Sequence, residues 1–122
     1  EIRLSLVGSE MCIRDSTYVA TELGKRGIAF ICAREHEGED SLGPKLKAAF
    51  GGVYIGNEGY TRESAEAAIA AGRVDAVAFG VQYIANPDLT RRFELDAPLN
   101  APESSTFYSQ GAAGYTDYPA LP

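Results

Sequence analysis

Three short apolar runs, each leading into a glycine turn or a polar loop and then a helix-forming stretch, limit how this chain can fold. IAFICA covers 28–33, GVYI covers 52–55 and DAVAFG covers 75–80. None alternates apolar with polar residues, so each reads as a strand buried on both faces, as in a parallel sheet. Helical patterns lie before, between and after them. TYVATELGKR (17–26) puts Tyr18, Val19 and Leu23 at helical spacing, with Gly27 placed to cap it. Residues 34–43 are polar, hold Gly38 and Gly43, and read as a loop. Pro44 suits the first turn of a helix through Phe50, which turns Leu46, Ala49 and Phe50 inward.

After the turn GNEGY (56–60), Thr61 to Ser64 can cap a helix with Glu63 in its first turn. ESAEAAIAAG is rich in helix formers and stops at Gly72. Pro87 opens a last helix, NPDLTRRFEL, and the tail 98–122 reads as an irregular but apolar arm. Helices alternating with fully apolar strands imply an α/β fold with a parallel sheet. Three strands are few for a self-sufficient sheet, and a closed (β/α)8 barrel takes about 250 residues. The expected architecture is the C-terminal portion, about three βα units, of a (β/α)8 TIM barrel.

Composition narrows the function. In 122 residues, 45% are hydrophobic and 23% charged, which is globular. Lys and Arg number 11 against 17 Asp and Glu, and no basic run interrupts the acidic balance, which argues against nucleic acid as a partner. No stretch reaches the ~18 apolar residues of a membrane span, so no membrane partner is expected. Two Cys and one His cannot build a disulfide scaffold or a Cys/His zinc site, and no metal site is expected.

Residues 1–16, EIRLSLVGSEMCIRDS, show no period and are too polar for a signal-peptide core, so the expected location is cytoplasmic. Leu6 to Ser16 is similar to an in-frame translation of the transposase sequencing adapter. Glu1 to Ser5 fit the primer and index bases before it. The expected organisation is a non-native adapter-derived tail at 1–16 and the C-terminal part of a barrel at 17–122. A segment of that origin is expected to be extended, frayed or an arbitrary helix with few core contacts. Leu6, Val7 and Ile13 in a shared core would contradict it. Setting it aside leaves 106 residues with Cys32 as the one thiol and no Met, which reads as the tail of a longer protein.

Two glycine turns follow apolar strands, Gly56-Asn57-Glu58-Gly59 and Gly80-Val81. Glycine lets backbone N–H groups approach an anion, and a helix N-terminus behind it adds favourable charge. In (β/α)8 barrels the loops after strands seven and eight often hold a phosphate. Spacing alone leaves two readings open, plain turns and a phosphate site.

GGVYIGNEGYTRESAEAAIAAGRVDAVAFGVQYIANPDL, then RRFELDAPLN, TFY and GYTDYP, resembles the C-terminal third of the old yellow enzyme family. These are flavin-dependent ene reductases, among them bacterial N-ethylmaleimide reductases and plant oxophytodienoate reductases. The resemblance runs over 17–121 and is dense from 52. It implies a (β/α)8 barrel with noncovalent FMN at its C-terminal mouth and NADPH or NADH as reductant. The implied substrate is a small-molecule activated alkene such as an α,β-unsaturated carbonyl. Matched positions imply that backbone groups near Glu58 and Gly59, and at Gly80 and Val81, hold the FMN phosphate. Phe107 would pack on the flavin's dimethylbenzene edge, and Tyr108 would line the substrate side.

Val81 departs from the pattern, because most members carry Arg there. Arg makes charge-assisted, forked contacts with phosphate and Val offers only its N–H, so weaker phosphate binding is expected. Arg62 and Arg92 are other possible donors. The family's His-His or His-Asn pair, its Tyr proton donor and its flavin-ring contacts match nothing in this chain. No catalytic residue is therefore assigned, and the chain alone is expected to be inactive. His36 reads as a loop histidine, Cys32 as a buried strand thiol, and Glu35, Glu37, Glu39 and Asp40 as a solvated loop. Phe107, Tyr108, Tyr115 and Tyr118 read as tail packing mixed with pocket wall. Two alternatives stay in view: another flavin- or phosphate-binding barrel, such as a dienoyl-CoA reductase relative, and a small non-catalytic α/β binding module.

Overall fold

The structure, a computed structural model, describes residues 10–122. The chain divides into two compact units that meet in sequence between Ala78 and Phe79. The first unit alternates helix and strand: α1 (Glu10–Lys25), β1 (Phe30–Arg34), α2 (Gly43–Phe50), β2 (Val53–Asn57), α3 (Arg62–Ala70) and β3 (Ala76–Ala78). The strands form one parallel sheet in the order β1-β2-β3. Phe30 pairs with Val53 and Arg34 with Asn57, and Ile55 pairs with Ala76. Helices between consecutive parallel neighbours are the repeating unit expected from the apolar runs.

The element boundaries moved for physical reasons. β1 and β2 run past their apolar stretches to Arg34 and Asn57, because polar residues at a strand end still pair through their backbones. The N–H of Glu35 extends that ladder to the carbonyl of Asn57 at 3.0 Å. α1 begins at Glu10, seven residues before the expected helix start. Of the apolar residues that bear on the 1–16 segment, Leu6 and Val7 lie outside the described residues, and Ile13 is half-buried.

The core of this unit lies between the sheet and its helices. Ala20 of α1, Leu46 and Phe50 of α2, Tyr54 of β2, Ala68 of α3 and Val74 form one buried cluster, with Leu23, Ala49 and Tyr60 packed against it. α1 and α2 approach closely at Gly24, where a Cβ would collide with the carbonyl oxygen of Phe50. The Tyr54 N–H donates to Asp75 Oδ2 at 2.8 Å, and the Lys47 ammonium donates to Asp75 Oδ1 at 3.0 Å. The first bond, then the second, holds the Asp75 carboxyl below its ordinary range.

The expectation of strands buried on both faces fails for β1. Its side chains alternate between exposed and half-buried, with Phe30 53% exposed. Cys32 is exposed too, which corrects its reading as a buried thiol. Phe30, Cys32 and Arg34 share the face turned away from the half-buried side of β1, so a strand with no polar alternation still presents one open face.

The second unit holds α4 (Val81–Ala85), α5 (Leu89–Glu94) and a 3-10 turn at Ser104–Thr106. The helix expected from Pro87 is α5, which starts two residues later at Leu89, and a further short helix, α4, precedes Pro87. α4 escaped the reading because VQYIA directly follows a glycine turn and has no cap. Ala85 and Leu89 are fully buried, and Phe79 meets Phe93 edge to face at 5.3 Å. The tail has no regular structure beyond its 3-10 turn, as expected of the arm. No helix among the described residues is long and apolar enough to cross a membrane.

Candidate functional site

The residues singled out for anion binding sit where strands end. In the first unit β2 stops at Asn57, and the chain turns through Glu58 (φ 90°) and Gly59 (φ 77°) before Thr61 starts α3. Thr61 and Ser64 form a reciprocal capping box: the Ser64 N–H donates to Thr61 Oγ1 at 3.2 Å, and the Thr61 N–H donates to Ser64 Oγ at 3.0 Å. That box satisfies the helix's own end. The N–H groups of Glu58 and Gly59 donate to no acceptor among the described residues. A Cβ built on Gly59 meets nothing within 4 Å, so space lies open over this turn.

An acidic side chain beside an anion site is unfavourable, and the structure shows what offsets it. Arg34, at the end of β1, grips the Glu58 carboxylate with two hydrogen bonds, Nε to Oε2 at 2.7 Å and Nη2 to Oε1 at 3.2 Å. This contact holds the Glu58 carboxyl below its ordinary range. Sequence reading missed Arg34 because its partner lies 24 residues away and only the parallel pairing of β1 with β2 brings the two strand ends together.

In the second unit Gly80 precedes α4, again with open space where a Cβ would stand and with no side-chain cap. The N–H groups of Gly80 and Val81 donate to no acceptor among the described residues. Val81 is 47% exposed and brings no charge. Its neighbour Gln82 keeps Oε1 buried without a hydrogen-bond partner, and an acceptor does not replace the cation that arginine would supply. Phe107 closes the 3-10 turn and is half-buried, while Tyr108 beside it is 99% exposed.

The structure thus seats Glu58 with Gly59 in one turn, Gly80 with Val81 in a second, and Phe107 with Tyr108 on the tail. Of the two other cations considered, Arg62 bonds to Glu66 at 3.1 Å and Arg92 is buried among partners in its own unit. No group of His, Cys, Asp and Glu suited to a metal ion occurs among the described residues. Each turn, taken by itself, offers a phosphate two backbone N–H groups with room for close approach, and the second has no side-chain cation at position 81.

No family model matches the chain. It is 53% identical over 77 residues to 12-oxophytodienoate reductase 2 of Arabidopsis thaliana, covering 62% of this chain and 21% of that protein. Among solved structures it is similar to the old yellow enzyme from Trypanosoma cruzi, with a TM-score of 0.83 and 33% identity over 90% of this chain and 30% of that one. It is also similar to morphinone reductase in complex with tetrahydroNAD, with a TM-score of 0.82 and 40% identity over 90% of this chain and 31% of that one. The chain spans between 20% and 37% of the length of the first curated relatives it matches.

Proposed function

We infer that this chain, which belongs to the old yellow enzyme family and forms part of its (β/α)8 barrel, supplies one end of the flavin site in an FMN-dependent oxidoreductase. The N–H groups of Glu58, Gly59, Gly80 and Val81 hold the FMN phosphate. Phe107 packs on the dimethylbenzene edge of the ring, and Tyr108 forms part of the wall on the substrate side. When bound, the flavin would supply hydride-transfer chemistry between NADPH or NADH and an activated alkene such as an α,β-unsaturated carbonyl. This chain's residues bind and orient, and the chain by itself is inactive. Residues 1–16 we read as translated adapter, a reading the raw nucleotide contig tests.

One observation carries the proposal. Two glycine turns end consecutive βα strands or strand-like runs, each has N–H groups with no acceptor among the described residues, and each has open space above its glycine. The Arg34–Glu58 pair supports it by neutralising the one carboxylate in the first turn.

A flavin fluorescence titration tests it. The 122-residue chain alone shows no binding up to high micromolar FMN, because a phosphate subsite without ring contacts is too weak. In the barrel restored to full length FMN binds, and Val81→Arg tightens it by about 1–3 kcal/mol, the usual worth of a hydrogen bond to a charged group. Tight binding by the chain alone, or no change in Kd on Val81→Arg, overturns the reading.

A further inference from the structure

The second unit buries an arginine that the proposed chemistry does not use. Arg92 is 5% exposed, and each nitrogen of its guanidinium has a partner. Nε donates to Asp88 Oδ1 at 2.7 Å, Nη1 to the Pro98 carbonyl at 2.6 Å and Nη2 to the Pro119 carbonyl at 2.8 Å. The other oxygen of Asp88 accepts the Leu121 N–H at 2.8 Å. Asn100 repeats the pattern from the tail side. Its N–H donates to Asn86 Oδ1 at 2.7 Å, and its Nδ2 donates to the Ala85 carbonyl at 2.8 Å and the Pro119 carbonyl at 2.9 Å.

These bonds converge on two short stretches, Pro98–Asn100 and Pro119–Leu121, and the chain between them is a loop. Arg92 and Asn100 share one acceptor, the Pro119 carbonyl, so they tie the two ends of the loop to each other as well as to α5. One further bond crosses the loop just inside this neck, from the Glu103 N–H to the Tyr118 hydroxyl at 2.8 Å. Beyond it the loop carries Phe107 and Tyr108 with little burial of its own. A loop that packs little apolar surface takes its position from its anchors.

We propose that Arg92 is a positioning residue: through its clasp on the loop neck it sets where Phe107 and Tyr108 stand in the flavin and substrate site. The proposal rests on the role given above to those two aromatics. Arg suits the task because its planar fork reaches a carboxylate and two carbonyls in different directions at once. Lysine offers a single point of charge and cannot hold all three.

The test uses the full-length flavoprotein with Arg92→Lys, Arg92→Met and Asn100→Ala, each with and without Tyr108→Ala. Arg92→Lys is expected to raise the alkene KM about tenfold or more, since small misplacements of positioning groups carry costs of that order. It also speeds amide hydrogen exchange across 103–118 and leaves the amides of α3 unchanged. In the Tyr108→Ala background Arg92→Lys adds almost nothing to KM, because the residue it positions is gone. Asn100→Ala, which removes the second donor to Pro119, gives the same signature at smaller size and decides the matter if the Arg92 variants do not fold. Unchanged loop exchange, or a KM effect that persists at full size without Tyr108, overturns the clasp. If Tyr108→Ala alone leaves KM unchanged, the substrate-wall role falls and the positioning proposal with it, while faster exchange in Arg92→Lys shows that the neck itself is held as described.

Discussion

The first unit buries Phe50, Tyr54, Leu46 and Val74 between a sheet and its helices, whereas the second buries Asn86 and Arg92 and ties its ends with directed hydrogen bonds. The difference shows in what each leaves open. The first unit's sheet exposes Phe30 and Val53 at about half their surface, since burial is non-directional and works only where a neighbour exists. The second needs few neighbours, because a fully bonded guanidinium specifies its partners one by one. A layer built by burial depends on the rest of a barrel, and a clasp built by hydrogen bonds closes on itself.

That comparison is broken most severely by the whole chain in isolation. With an open β1 edge and apolar side chains such as Phe30 beside it, the purified chain is expected to aggregate, or to show helical far-UV circular dichroism with no cooperative melt. Light scattering and a thermal scan decide. A monodisperse monomer with a sharp, reversible transition overturns the dependence on missing neighbours and favours a self-contained small module.

Single substitutions sharpen it in the restored barrel. Phe50→Ala removes the largest apolar side chain of α2 from the first core and is expected to cost about 3–5 kcal/mol in denaturant unfolding. Asn100→Ala keeps the backbone bond to Asn86 but leaves the Ala85 carbonyl, and the Pro119 carbonyl in part, short of a donor, at about 1–3 kcal/mol. A larger loss from Asn100→Ala than from Phe50→Ala inverts the comparison.

The smallest expected effect is electrostatic. The carboxyl of Asp75 titrates below its ordinary 3.8 in the folded chain, so the folded state binds its proton less readily than the unfolded state. Its stabilisation is complete above that value and is lost as the pH falls through the depressed folded value. Asp75→Asn should remove this part of the acid dependence and leave stability at neutral pH lower. An unchanged acid limb in the variant counts against the Tyr54 and Lys47 contacts as its source.

The family was legible in the sequence because the strand, glycine and helix succession from Gly52 onward, with TFY and GYTDYP, is carried by contiguous residues. Local rules located Pro44 in the first turn of α2, the Thr61–Ser64 box and the stop at Gly72, since each depends on residues within a turn of one another. The same local reading missed α4, where no cap or period marks the chain. It also placed Cys32 inside, because an apolar run says that a strand has neighbours and not on which face they stand. The arrangements that matter most for the proposed site came only with the tertiary structure. Arg34 reaches Glu58 because β1 and β2 pair in parallel, and Arg92 reaches Pro119 because the tail returns to α5. Sequence spacing determines contacts within a helix or turn, where the backbone repeat is known in advance. Contacts 24 and 27 residues apart depend on strand register and loop closure, which are settled only when the chain packs.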